Sequence, residues 1–404
     1  MQPNSRRGRF RALWLATGVS SVGDGMVLVA FPLLALTLTR NPLSVAGVAV
    51  AGRLAALLVA LPVGALVDRV DRRRLVMAVE GLRAATMAGF GAAVITGHES
   101  LAGIYLAAFL LGGLTVALDV ISAACLPALV AEDDLVGANA RLLTAELSGE
   151  ELLGQAAGGA AFAAAAALPF LCDAVSFVAS AGLMAYAVPP GEKRRADTSL
   201  LSDVGAGIRW LAGDRLLRSL VVVIGCLAYC QAMVFGVMAL YATGPLHLSP
   251  GGYGLFLAVA GSGNVIGALA AGRLNRRIGG GWCIVGAGAV AVAGYLTMAA
   301  AHSALVAVIA LTAETAAVLV GNTSVRSVRQ SAAGPGMQGR AASAFQVLVL
   351  GALPLGGLVG GLLAPVVGIR GVMVVAAGLQ AVVLAVMGAR LLAPAVVSQD
   401  FAEP

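Results

Sequence analysis

The stretch that best indicates the fold reads Gly64-Ala65-Leu66-Val67-Asp68-Arg69-Val70-Asp71-Arg72-Arg73-Arg74. It lies between two apolar runs, 44–67 and 75–97, each long enough to cross a bilayer as a helix. Gly64 lets two helices approach closely, and Asp68 is placed to interact with the N-terminus of a neighbouring helix. The arginines suit the anionic cytoplasmic leaflet and can pair with carboxylates. The stretch therefore predicts a tight cytoplasmic turn between two membrane helices.

The composition extends this prediction to the whole chain. Of 404 residues, 59% are apolar and 11% are charged, against about 25% charged in ordinary soluble domains. The mean hydropathy is +0.93. These values exclude a soluble enzyme of ordinary composition and a disordered chain. We expect an all-α polytopic membrane protein.

Charge clusters and Gly/Pro punctuation divide the chain into twelve apolar segments. The predicted spans are 12–38, 44–67, 75–97, 101–128, 142–165, 168–189, 218–242, 252–275, 281–301, 303–325, 341–365 and 369–393. The predicted domains are an N-terminal six-helix bundle over 1–189, a cytoplasmic linker with an amphipathic helix over 190–217, and a C-terminal six-helix bundle over 218–404.

The distribution of basic residues predicts the orientation. With the N-terminus inside, segments and span ends facing the cytoplasm hold 22 of the 26 lysines and arginines. Arg40 and Arg370 fall outside, while Arg53 and Arg83 lie within spans. We therefore expect a multi-pass protein of the cytoplasmic membrane with both termini in the cytoplasm.

The quoted loop resembles the G-x-L-x-D-R-x-G-R-R loop between helices 2 and 3 of the major facilitator superfamily. The matching positions include Gly64, Leu66, Asp68 and Arg69, with Arg72 and Arg73 following. Asp71 replaces the family glycine. The resemblance implies two related six-helix halves, a substrate path between them, and a role for this loop in conformational gating.

A second, weaker copy of the motif occurs 208 residues later, at 272–279. Gly272, Leu274 and Arg277 match it, whereas Arg276 stands where the first copy has Asp68. This departure suggests that the two halves do not lock equally.

Within the superfamily, the chain resembles the macrolide-efflux-like group of drug:proton antiporters, on Ser20–Gly25, Asp173–Phe177 and Asn322–Arg340. Family antiporters carry Gly-Pro-x-x-Gly-Gly in helix 5. Here the stretch Gly154–Gly159 has Gln155 in place of the proline, which weakens the implied antiport.

Ionisable residues inside a membrane are functional candidates, because each costs at least about 2.5–3.5 kcal/mol at the bilayer centre. Asp24, Arg53 and Glu314 fall near the midplane of their predicted spans. We assign them to a proton or substrate cavity. A structural alternative for Asp24 is a permanent ion pair with Arg53.

The fifth predicted span carries a polar stripe of Thr144, Ser148, Glu151 and Gln155 at helical spacing. We expect Glu151 and Gln155 to face the cavity, and Glu150 to pack with Gly154 and Gly158 toward a helix contact. A buried network that only specifies helix packing is the alternative.

Two further pairings are predicted from position. Asp119, near the cytoplasmic end of span 4, is expected to pair with the Arg72–Arg73 cluster in one conformational state. Glu80 and Arg83, three residues apart on span 3, are expected to satisfy each other.

These features predict a transporter rather than an enzyme. We expect export of amphipathic small molecules, cationic or neutral, by proton antiport with alternating access, and with it a role in drug resistance. A lysophospholipid-type flippase and a proton-coupled uptake symporter remain alternatives. We expect no cofactor, no metal and no nucleic acid, the proton gradient as energy source, membrane lipid as surroundings, and a monomer.

Overall fold

The computed structural model describes residues 3–67, 70–131, 134–188, 209, 215–332 and 338–392. Within these residues every regular secondary-structure element is a helix. In a bilayer every backbone N–H and C=O must be satisfied within the protein, which a helix achieves by itself.

The helices up to residue 187 are α1 Pro3–Leu38, α2 Pro42–Val67, α3 Arg72–Ile95, α4 Leu101–Leu129, α5 Leu135–Leu147, a π-helical segment Ser148–Gly154, α6 Gln155–Ala164 and α7 Leu168–Ala187. The helices after residue 214 are α8 Arg215–Gly236, α9 Met238–Thr243, α10 Pro250–Ile278, α11 Gly280–Ala300, α12 Ala304–Ala332 and α13 Gln338–Leu391.

Among the described residues, ten helices are long and apolar enough to cross a membrane. The sequence predicted twelve spans. One reason for the difference is α13, which runs for 54 residues and covers two predicted spans. Gly368, with φ 77°, kinks it between them, a backbone angle that glycine adopts at no steric cost.

The second reason lies in the predicted span 142–165. There α5, the π-helical segment and α6 follow one another without a gap. The π segment divides a length of chain that the hydrophobic pattern alone presents as one regular helix.

The chain divides into two compact units. Unit 1 comprises Met1–Arg40, Ala51–Asp197 and Leu248–Ala258, and unit 2 comprises Asn41–Val50, Thr198–His247 and Val259–Pro404. The predicted linker, 190–217, lies almost wholly outside the described residues. The predicted boundaries of the two six-helix bundles, 1–189 and 218–404, therefore stay a prediction.

Small residues allow close helix packing within unit 1. A Cβ at Gly158 of α6 would lie 2.6 Å from backbone atoms of Met26 in α1, and Gly154 abuts α1 one turn away, at Val22 and Gly25. Since lipid gives no hydrophobic drive for helices to associate, such close contacts supply the packing energy. The predicted packing role of Gly154 and Gly158 is confirmed.

Apolar side chains fill the rest of unit 1. A buried cluster includes Leu13 of α1, Val76 of α3, and Ile121 and Leu126 of α4. Farther along α1 and α3, Phe31 and Phe90 pack with Phe170 of α7, with ring centroids 4.9–5.5 Å apart. Polar residues occupy the level between these two apolar layers.

In unit 2, a smaller cluster joins Met233 and Val237 to Ala364 and Val372 of α13. Tyr241 donates a hydrogen bond of 2.6 Å to the carbonyl oxygen of Met298, which ties the end of α9 to α11.

Candidate polar cavity in unit 1

A cavity of about 350 Å³ lies among α1, α3, α4, α5 and α7 of unit 1. Four carboxyl groups contribute to its lining, those of Asp24, Asp119, Glu146 and Glu150. Arg83 is the basic residue among its lining residues. Four acidic side chains thus share a small space in the apolar core with one guanidinium.

Arg83 is bound at the inner end of this cavity. Its Nη2 donates to both carboxylate oxygens of Asp24, at 2.6 and 2.7 Å, and its Nη1 lies 3.3 Å from Glu80 Oε2. The Arg83 side chain is 0% exposed, and that of Asp24 is 21% exposed. A short charge-assisted pair of this kind is among the stronger polar contacts in proteins.

Neighbouring side chains fix the guanidinium in place. Arg83 donates to Ser20 Oγ at 3.1 Å and to Thr115 Oγ1 at 3.2 Å, and stacks 3.9 Å from the centre of the Phe177 ring. Ser180 in turn donates a 2.5 Å hydrogen bond to Glu80 Oε1. Arg83 therefore links α1, α3, α4 and α7.

The cavity follows one face of α1. Its lining residues there run from Ala16 to Asp24. Phe31, which belongs to the aromatic cluster, lies seven residues farther along, about 10 Å at the rise of an α-helix. The polar space thus ends at the Asp24–Arg83 pair, below an apolar layer.

A further buried carboxyl, that of Asp173, lies near Asp24 and Arg83. Asp173 is 0% exposed; its Oδ1 accepts a 3.1 Å hydrogen bond from Ser176, and its Oδ2 has no partner. A side chain at Gly23 would collide with Asp173 and Ser176. The Ser20–Gly25 and Asp173–Phe177 stretches, singled out separately in the sequence, are therefore in contact.

The structural alternative for Asp24, a permanent ion pair with Arg53, is wrong. Asp24 pairs with Arg83, while Arg53 lies on α2 with a buried Nη1 that has no hydrogen-bond partner among the described residues. The predicted contact of Glu80 with Arg83 is confirmed. Sequence reasoning nevertheless missed Arg83 as a cavity residue, although it lies as deep within its span as Arg53.

The structure also reverses the predicted faces of the two adjacent glutamates. Glu150 lines the cavity together with Glu146, and Glu151 is not among its lining residues. The physical reason is the π-helical segment Ser148–Gly154, whose wider turn breaks the spacing from which the stripe was derived. Gln155 is buried, and its Oε1 has no partner.

Asp119 also differs from expectation. It lines the cavity near Glu146, Asp24 and Arg83, and it forms no ion pair with a described arginine. α4 ends at Leu129, one residue beyond the predicted span, so Asp119 lies ten residues, about 15 Å, before the helix end and not near it.

Glu314 lies in unit 2 and is fully buried. Tyr295 donates a 2.9 Å hydrogen bond to its Oε1, and its Oε2 has no partner. Within unit 2, Glu314 is therefore held on one side by Tyr295 of α11.

The first copy of the loop motif, Gly64–Arg74, is described in part. Gly64 and Leu66 belong to the last turn of α2, and Asp68 and Arg69 lie outside the described residues. Asp71, the departure from the family pattern, caps α3: its Oδ1 accepts a 2.9 Å hydrogen bond from the Arg74 backbone N–H. Arg72 and Arg73 begin that helix.

The second copy of the motif, at 272–279, is almost wholly helical and does not form a loop. Gly272, Leu274 and Arg277 are exposed in the last turns of α10. Gly279, with φ 82°, follows the helix, and its N–H donates to the carbonyl of Asn275. A left-handed glycine after the last turn is a common helix stop.

Comparison with known proteins identifies relatives of the chain. A family model described as transmembrane secretion effector matches residues 3–403. The enterobactin exporter EntS of Citrobacter koseri is 30% identical over 281 residues, which span 67% of this chain and 64% of the exporter, slightly less than two thirds of that relative.

Solved transporter structures share the fold. A bacterial homologue of the human lysosomal transporter Spinster aligns with a TM-score of 0.76 at 14% identity, covering 100% of both chains. The nucleoside transporter NupG aligns at 0.74 and 14%, covering 96% of this chain and 98% of its own. An inward-facing bacterial homologue of the iron transporter ferroportin aligns at 0.74 and 18%, covering 96% and 100%.

Proposed function

Because the chain belongs to the transmembrane secretion effector family of the major facilitator superfamily, we propose that this membrane transporter exports small amphipathic molecules in exchange for protons. The observation that carries this proposal is the Asp24–Arg83 pair at the inner end of an acidic cavity.

The charge balance of the cavity supports proton coupling. Arg83 compensates part of the negative charge, while Asp119, Glu146 and Glu150 face the same space. Ionised carboxylates crowded together away from bulk water are costly unless they are paired or protonated. The cavity therefore favours a state that holds either protons or a cationic group. Two ligands that neutralise the same charge exclude each other, which is the requirement for antiport.

The size and chemistry of the cavity indicate the substrate class. A volume of about 350 Å³ lies within the range of small-molecule sites. Alanine, leucine and methionine side chains line the cavity together with hydroxyl side chains and the carboxyl groups. We propose a cationic or neutral amphipathic substrate. The relative named an enterobactin exporter makes a secreted metabolite the second candidate.

We further propose the twelve-span arrangement of the superfamily. Counting 135–164 as one broken span and α13 as two spans brings the ten candidate helices to twelve, in two six-helix bundles with both termini in the cytoplasm. In this orientation the cavity opens toward the cytoplasm, since it reaches the first turns of α5 and the last turns of α4 and α7.

Inside-out vesicles test the transport proposal. The vesicles are energised to an acid interior and followed with a pH-sensitive dye, while lipophilic cations, macrolides and neutral drugs are added, with empty-vector vesicles as control. We expect protein-dependent release of protons from the lumen when a substrate is added. Proton entry with the substrate would indicate a symporter, and movement of lysolipids alone would indicate a flippase; either result contradicts the proposal.

A further inference from the structure

A second cavity in unit 1 is basic. It is lined by Arg6, Arg7 and Arg11 of α1 and by Arg141 of α5, and has a volume of about 640 Å³. A neighbouring cavity of about 470 Å³ shares Arg11 and Arg141 and adds Trp14. We call the two cavities together the basic pocket, defined by Arg6, Arg7, Phe10, Arg11, Trp14 and Arg141.

The four arginines are available to a ligand. All are exposed at their side chains, and none forms an ion pair with a described residue. Asp134 lies on the pocket wall, and Glu132 and Asp133 of the same loop lie outside the described residues. The arginines thus outnumber the acidic residues of this loop.

The start of α5 adds further positive potential. Asp134 precedes the helix but makes no side-chain capping hydrogen bond, so its carboxylate does not occupy the N–H groups of the first turn. Gly137 and Ala138 of that turn line the pocket. The N-terminus of a helix carries a partial positive charge and favours anions. This independent feature points to the same ligand charge as the arginines.

Aromatic side chains place the pocket at the edge of the membrane. Phe10 and Trp14 line it, and Trp14 is 41% exposed. Its indole Nε1 donates a 3.2 Å hydrogen bond to the carbonyl oxygen of Arg141. Tryptophan is enriched at the level of lipid headgroups, and basic pockets between membrane helices on the cytoplasmic side suit anionic headgroups.

We propose that the basic pocket binds the phosphate-bearing headgroup of an anionic phospholipid from the cytoplasmic leaflet, with the acyl chains lying along the lipid-exposed face of α1. The occupant is a lipid rather than free phosphate, because the aromatic side chains and the exposed Leu15 (45% exposed) offer apolar contact beside the arginines. The inference rests on the proposed orientation of the chain and is independent of the transported substrate.

Quenching of Trp14 fluorescence tests this proposal directly. The full-length protein carrying Trp210→Phe and Trp282→Phe, so that Trp14 is the remaining tryptophan, is reconstituted with brominated phosphatidylglycerol or brominated phosphatidylcholine. We expect preferential quenching by the anionic lipid. Arg11→Gln with Arg141→Gln should reduce the preference about thirtyfold, through the loss of two arginine contacts with an anionic headgroup.

Matched controls separate the possible explanations. Arg273→Gln with Arg277→Gln removes two exposed arginines at the end of α10 and should leave the preference unchanged. Inorganic phosphate at millimolar concentration should not relieve the quenching. Equal quenching by both lipids, an unchanged preference in the Arg11/Arg141 variant, or relief by phosphate would each overturn the proposal. None of these results depends on whether the protein exchanges protons for a substrate, so failure of the two proposals is distinguishable.

Discussion

Arg83 contacts two carboxylates that belong to different helices, Asp24 on α1 and Glu80 on its own α3. The guanidinium presents its donors in a fixed planar fork, which suits this bridging position. A protonated Asp24 loses most of its attraction for Arg83. In the proposed antiport, a proton bound at Asp24 would loosen a contact that joins several helices.

We predict that Arg83→Lys retains insertion into the membrane but lowers the transport rate at least about tenfold, since an ammonium keeps the charge and loses the fork. Arg83→Gln should also destabilise the protein by roughly 3–5 kcal/mol, because it leaves buried carboxylates unpaired. Transport assays and thermal unfolding in detergent measure the two effects. Wild-type transport in Arg83→Lys would contradict a role for the paired geometry.

A second prediction compares substitutions at two adjacent residues, Glu150 and Glu151. Glu150 lines the acidic cavity, and Glu151 is not among the cavity's lining residues. Glu150→Gln should reduce proton-coupled transport about tenfold or more, and Glu151→Gln should have the smaller effect. Rates measured in the same vesicles decide between them. If Glu151→Gln is the less active variant, the face derived from helical spacing is the functional one.

At the scale of elements, the π-helical segment and the glycines beside it determine how α5 and α6 meet α1. Gly149 contacts α1 at Ser21, Gly154 at Val22, and Gly158 at Met26. The step of five residues from Gly149 to Gly154 spans the π-helical turn. Such turns occur frequently at functional sites; here it brings Glu150 to the cavity while the glycines keep their contact.

Gly158→Val tests this packing. A Cβ there would lie 2.6 Å from the backbone of Met26, so we expect a loss of stability of about 1–3 kcal/mol or more from overpacking. Gly182→Ala in α7 is the control, because a Cβ at that position would have nothing within 4 Å, and it should be neutral or stabilising by about 0.5–1 kcal/mol. Thermal unfolding in detergent compares them; equal melting temperatures would contradict the close contact of α6 with α1.

Much of the architecture was predictable from sequence, because the length and apolar composition of a membrane span can be recognised in a short stretch of residues. The loop after α2, the apolar runs and the packing glycines were identified in this way. The partner of Asp24 was not, because that pairing depends on how α1, α2 and α3 are rotated about their axes. The lining role of Glu150 was missed because a π-helical turn leaves no signal in hydrophobic periodicity.

At the scale of the whole molecule, exposed apolar side chains such as Val175, Leu269 and Val366 occur in both units. Large exposed apolar surfaces mark interaction with a membrane or a protein, and the family assignment indicates the membrane.

The orientation is tested by labelling in intact cells. With the five native cysteines replaced by serine, Ser100→Cys, just before α4, should react with a membrane-impermeant maleimide from outside. Asp134→Cys, just before α5, should react only after permeabilisation. The opposite pattern would place the termini outside and the acidic cavity on the external side.

The antiport that we propose places the competition between substrate and protons at Asp24. Binding of a cation must then release protons, by thermodynamic linkage. The most direct measurement follows proton release from the purified protein in weakly buffered detergent on addition of tetraphenylphosphonium, a lipophilic cation. We predict release by the wild type and by Glu99→Gln, a control in the loop before α4, and strongly reduced release by Asp24→Asn. Undiminished release by Asp24→Asn would contradict competition between substrate and proton at this carboxylate.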